Sequence, residues 1–245
     1  MSGSPQTELH DSQKRRSYRF LQGACVAAAV CHTVAMLLCL WAYKAGHLDQ
    51  FSLERLMQFP PQHPAIWKAT CLALSAASLS FFFLILTLRD VVSNQWKMLF
   101  TGSLCLSVLA VCINLQSNAD MLILFSDISK QYVYGGSSYS RHELSLIAWE
   151  TLNRALSSCF LVSNGLYAAS GFLVVAAILT GRGLPMWIGW CGLPVWIPAA
   201  LAGLATLCAN LPAAGFLLFV SLIAFIVWSI AIAATVDGLC QRSST

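Results

Sequence analysis

Charge is what this sequence has least of. Lys and Arg number 14 and Asp and Glu 10 in 245 residues, 10% in all, whereas soluble domains carry about 25%. With 58% hydrophobic residues and a mean hydropathy of +0.69, the chain reads as a polytopic membrane protein with no separate soluble domain. Basic stripes interleaved with aromatics are missing, and the net charge of +4 sits mainly in connectors and the N-terminal tail. That distribution serves orientation in a bilayer and argues against nucleic acid as a partner. The catalytic vocabulary is equally thin: there is no Gly-rich phosphate loop, no G-x-S-x-G elbow, no H-E-x-x-H and no Asp-rich magnesium signature. C-x-x-C and zinc-like Cys/His spacings are absent too, so no metal site is expected and no cofactor is indicated. Ten cysteines are present, but Cys25, Cys31, Cys39, Cys71, Cys105, Cys112, Cys159, Cys191 and Cys208 fall inside apolar runs, leaving only Cys240 near the end. They are expected to be unpaired thiols acting as small hydrophobes.

What the chain does have is six apolar runs, each near the ~20 residues that cross a bilayer. They predict an all-α polytopic transmembrane helical bundle with spans at about 19–43, 66–88, 98–116, 155–180, 186–208 and 214–236. Residues 1–18 read as a polar cytoplasmic tail, 19–236 as one membrane domain and 237–245 as a second polar tail. The first run is too long for a signal-peptide core of about 7–15 residues and stays a span. His32, near its middle, reads best as a neutral histidine bonded within the bundle. Between the first two spans, Phe51, Leu53, Leu56 and Met57 suggest a short amphipathic piece ended by Pro60, Pro61 and Pro64. Residues 120–128 are apolar but too short to cross, which leaves an interfacial helix or a continuation of the third helix. Gly135 and Gly136 mark a flexible loop. Pro194 and Pro198 should kink the fifth span, chiefly as a packing device, and the almost wholly apolar sixth span is the best candidate for a lipid-exposed helix.

With the N-terminus inside, Lys14, Arg15, Arg16, Arg19, Arg89, Lys97, Arg182 and Arg242 fall on the cytoplasmic side. Lys44, Arg55, Lys68, Lys130 and Arg141 fall on the other, and Arg154 stays within the bundle. Eight against five fits the positive-inside rule, with both termini cytoplasmic and residues 44–65 and 117–143 on the far side.

Residues 141–180 are the one stretch where charge and lipid-like sequence overlap heavily. At 100° per residue, Asn153, Ser157, Asn164 and Arg154 lie at roughly −60°, −20°, −40° and +40° from Glu150. Five polar groups then share a face about 100° wide, and polar groups within a span usually face the bundle interior. The stripe is therefore expected to form an inner wall, with Glu150 and Arg154 as an i, i+4 ion pair and Asn153, Arg154, Ser157 and Asn164 as ligand-lining residues.

Four strings, HPAIWK at 63–68, WETLNRA at 149–155, SNGLYAASG at 163–171 and GLPMWIGWCGL at 183–193, resemble segments of a loose group of uncharacterised bacterial six-helix integral membrane proteins. The matching features are a His-Pro-x-x-Trp start to the second helix, a Trp-Glu-Arg-like segment, an Asn-Gly-Leu-Tyr helix centre and a Leu-Pro-x-Trp start to the fifth helix. The resemblance implies a shared bundle and a bacterial inner membrane, and carries no activity. Here Arg154 stands five residues after Trp149, whereas the group places its basic residue beside the Glu, so that pairing does not transfer.

Two functions are compatible with these residues. One is an accessory, binding or transport module for a small hydrophobic molecule, with membrane lipid, such a ligand or a partner membrane subunit as its partner. The other is an intramembrane cyclase or isomerase using Glu150, with Asp120 or Asp127, as general acid; burial disfavours a carboxylate, so the protonated acid could attack an alkene or epoxide. Arg154 weakens the second reading, because a neighbouring cation favours the ionised form. Transporters usually show internal repeats with broken helices in matching halves, and no convincing repeat of spans one to three is visible in four to six.

Overall fold

The computed structural model describes residues 5–46, 52–92, 96–136, 138–181 and 183–242, with side chains placed between 15 and 239. Phe51, Arg182 and the chain ends lie outside the described residues, as do the side chains of Lys14, Cys240 and Arg242. All regular structure among the described residues is helical. In order it comprises α1 (Pro5–Ala45), α2 (Leu53–Gln62), α3 (Pro64–Val91), α4 (Lys97–Asp120), a π-helical turn at Met121–Phe125, and α5 (Ser126–Tyr134). There follow α6 (Arg141–Ser157), a second π-helical segment at Ser158–Ser163, α7 (Asn164–Thr180), α8 (Met186–Leu207) and α9 (Leu211–Arg242).

Six continuous helical stretches are long and apolar enough to cross a membrane: Arg15–Ala45, Pro64–Val91, Lys97–Tyr134, Arg141–Thr180, Met186–Leu207 and Leu211–Leu239. Their neighbours form a closed ring, α1–α3–α4–α7–α8–α9 and back to α1. The ring's centre is filled. Phe81 of α3 reaches across to Trp196 of α8, with ring centroids 5.5 Å apart, and to Phe225 of α9 at 5.8 Å; Trp228 packs edge-on against Trp196 at 5.9 Å. Stacked rings and the buried Leu84, Ile178 and Ile188 around them leave no aqueous axis.

Several polar side chains inside the ring bond to one another where no water competes, although Trp196 Nε1 and the Ser229 hydroxyl are buried without a hydrogen-bond partner among the described residues. Ser170 of α7 meets Ser103 and Ser107 of α4 at 2.7 and 2.8 Å, and Ser163 donates to the Ala110 carbonyl at 3.0 Å. Asn114 donates to Ser78 at 2.5 Å and accepts from the Cys159 thiol at 2.8 Å. Such bonds join spans for about 0.6 kcal/mol each on average. His32 donates from Nδ1 to the Ala28 carbonyl at 2.9 Å and packs on Phe225, bonded within the bundle. Ser221 of α9 donates to the Val195 carbonyl of α8 at 2.8 Å, which ties the two helices together between Pro194 and Pro198. Every described cysteine is a free thiol.

A second core sits at one end of the ring. Met57, Phe59, Trp67, Phe125, Ala148 and Leu152 are buried together there, bringing α2, the start of α3, the first π turn and α6 into a crown. The third and fourth stretches, 38 and 40 residues long, supply its walls, because each is roughly twice the ~20 residues a span needs. Residues 120–128 therefore continue the third helix. α5 stops where Gly135 takes φ +78, a left-handed conformation suited to glycine. α6 then starts on a capping box: Ser140 accepts from the Glu143 backbone N–H at 3.3 Å, and Glu143 accepts from the Ser140 N–H at 2.7 Å.

The polar N-terminal segment is helical from Pro5, continuous with the first span. Two expectations need correction. α2 runs through Pro60 and Pro61, because both fall in its last turn, where the helix ends before the missing donors accumulate. Second, α9 is not the most lipid-exposed span: its most apolar window is 33% buried, against 22% for α1. Hydropathy does not set exposure there, because α9 turns Phe225, Trp228 and Ile232 inward.

An even number of spans puts the crown on the opposite side from Asp237 near the end of α9. Thiol labels at Ser138→Cys and Asp237→Cys, with native thiols blocked, should react from opposite faces of the membrane. Reaction from one face would contradict the six-span arrangement.

Candidate functional site

The five residues of the expected stripe do not form an inner wall. Glu150, Asn153 and Arg154 are exposed on α6, while Ser157 and Asn164 are half-buried. Leu144, Ala148, Thr151, Leu152 and Ala155 take the inward face instead. Two physical causes combine. First, α6 belongs to the crown, so its polar side meets water or headgroups at little cost. Second, the π segment 158–163 shifts the helical phase. Counted from buried Ala155 at 100° per residue, the buried Ser170, Val174 and Ile178 fall at roughly 60°, 100° and 140°, a rotation of about one residue. Glu150 and Asn164 consequently lie out of phase.

The expected Glu150–Arg154 pair is also absent. Arg154 instead reaches Asp120 on α4, Nη2 to Oδ2 at 3.5 Å, and Asp120 further accepts from Gln116 at 3.0 Å. Asp127 pairs with Lys130 at 3.3 Å on the exposed side of α5. Glu150, Asp120 and Asp127 thus do not converge. No group of three or more His, Cys, Asp or Glu among the described residues could hold a metal ion. Arg154 is 61% exposed, and exposed pairs contribute about 0–1 kcal/mol. Thermal unfolding in detergent should therefore show Glu150→Gln unchanged from the parent and Arg154→Met lower by no more than about 1 kcal/mol. A loss of several kcal/mol in either variant would contradict this placement.

What the structure does build is a groove where the crown meets the membrane. Pro64, Trp67, Lys68 and Leu72 follow one face of α3. Leu122, Ile123, Ser126, Asp127 and Lys130 follow one face of the π turn and α5 opposite them, and Pro60 closes the upper end. The volume is ≈ 460 Å³. Trp67 fixes the spacing of the two walls, because its indole N–H donates to the Met121 carbonyl at 3.2 Å while its ring lies 5.7 Å from that of Phe125. Met121 opens the π turn, where i→i+5 pairing displaces carbonyls from the α pattern; its oxygen also takes the Ser126 hydroxyl at 3.4 Å.

The groove's depth in the bilayer follows from helix geometry. Lys68 stands 21 residues before Arg89 on α3, about 31 Å at 1.5 Å per residue, close to the ~30 Å hydrocarbon thickness. Lys68 and Trp67 are therefore at headgroup level, and Leu72 lies one turn inside it. Leu72 and Ile123 are 60% and 58% exposed, so the floor is apolar and open. The sequence marks Trp67 and Lys68 as interface residues, and both lie in the HPAIWK string. It has no sign that residues 122–130 run beside them.

No protein-family model, curated protein or solved structure matches this chain.

Proposed function

We propose that this is a non-catalytic membrane protein that binds an amphipathic or hydrophobic molecule of the bilayer in the groove between α3 and α5. The observation that carries this reading is the combination of an open apolar floor with charged groups at headgroup level, on walls held apart by Trp67. Binding is favoured over transport along the bundle axis, which aromatic rings fill. Acid catalysis at Glu150 is the second reading, and it needs an enclosed apolar surround; Glu150 is exposed. Asp120 and Asp127 are engaged by Arg154 and Lys130. The eight-to-five charge count and the four resembling strings support a location in a bacterial inner membrane, with termini cytoplasmic and the crown outside.

Photo-cross-linking tests the reading. A benzophenone amino acid in place of Ile123 should capture one predominant amphipathic species, identified by mass spectrometry. The same probe at Leu201, exposed on α8, should capture bulk lipid. Identical mixtures from both positions would refute a binding groove.

A further inference from the structure

Resting on the groove reading above, we propose that the occupant is an anionic phospholipid of the crown-side leaflet, its phosphate on Lys68 and one acyl chain running down α3 past Leu72. The charges decide the headgroup. Two cations and one carboxylate face the groove, and Asp127 is already taken by Lys130 at 3.3 Å. Lys68 makes no ion pair among the described residues and lies at phosphate depth by the helix count from Arg89. Near a membrane surface a basic side chain contributes about 1 kcal/mol toward anionic lipid, and a fixed apolar floor adds to it by confining the chain. A zwitterionic lipid would bring a second cation toward Lys68 and Lys130, so the groove selects by repulsion as well as attraction.

The chain direction agrees. From Lys68 to Leu72 the α3 face passes from headgroup to hydrocarbon in one turn, and Trp67 closes the groove's inner side. A headgroup-plus-chain molecule fits that sequence of surfaces, and a wholly apolar one leaves Lys68 without a counter-charge.

The test uses the full chain, purified in neutral detergent and stripped of lipid. It is titrated with equal amounts of phosphatidylglycerol and phosphatidylcholine of matched chains and read by native mass spectrometry. The proposal expects phosphatidylglycerol adducts to exceed phosphatidylcholine adducts about tenfold. Lys68→Gln should bring that ratio near one and Lys68→Arg should keep it, with unfolding temperatures unchanged because residue 68 is exposed. A ratio near one in the parent, or a ratio unaffected by Lys68→Gln, would overturn the anionic assignment while leaving the groove reading intact. Failure to retain either lipid would overturn the groove reading itself, as would a stable dimer that excludes both.

Discussion

Gly171→Ala lowers the stability of the detergent-solubilised protein by about 1–3 kcal/mol, the usual cost of overpacking a filled core, seen as a drop of several degrees in unfolding temperature. Gly171 lies on α7 with its Cα against the Trp196 indole, and an added Cβ would sit inside the ring's van der Waals surface. The ring cannot retreat, because Phe81, Phe225 and Trp228 pack around it. Alanine's better helix propensity, worth up to about 1 kcal/mol over glycine, offsets only part of the clash. Gly23→Ala on α1 is the control, since nothing stands within 4 Å of its Cβ position; that variant should match or exceed the parent. Equal stability of the two variants would show that the ring centre is looser than described.

The second large effect is expected at Trp67. Trp67→Ala should cost about 3–5 kcal/mol, the range for emptying a large aromatic site. The loss should fall on the crown: Trp67 is 8% exposed and its ring lies among Phe59 and Phe125. Limited proteolysis near Ser138 then becomes fast while the six spans stay protected. Trp67→Phe keeps most of the packing and loses only the bond to the Met121 carbonyl, so proteolysis should be intermediate and groove binding weak. Cleavage of Trp67→Ala at the parent's rate would contradict the crown as a separately held layer.

These expectations separate what could be read from the chain from what could not. The spans were legible because twenty apolar residues have few other uses in a sequence so poor in charge. The Gly135–Gly136 break was legible because two glycines interrupt an otherwise helical pattern, and the structure places positive φ at both. The unpaired cysteines followed from their positions within apolar helices. The Glu150 stripe misled for a reason angular counting cannot detect: it assumes one uninterrupted helix, and the π segment adds a residue without altering hydropathy. Arg154 was matched to its nearest carboxylate in sequence, whereas its partner Asp120 lies 34 positions away. The groove was illegible for the same reason, since Lys68 and Ile123 belong to segments joined only by tertiary contact. Of its two walls the sequence identified one, through Trp67 and Lys68 at the bilayer interface.

The central claim, that the crown-level groove holds a molecule of the bilayer, is tested most directly by weighing what the protein retains. Parent and Leu72→Trp proteins would be purified side by side in mild detergent, and bound small molecules quantified by mass spectrometry after organic extraction. Leu72 is 60% exposed on the groove floor, so an indole there fills the groove without disturbing either core. The account predicts about one amphipathic molecule per parent chain and a severalfold loss in Leu72→Trp at unchanged unfolding temperature. Equal retention by the two proteins would contradict it.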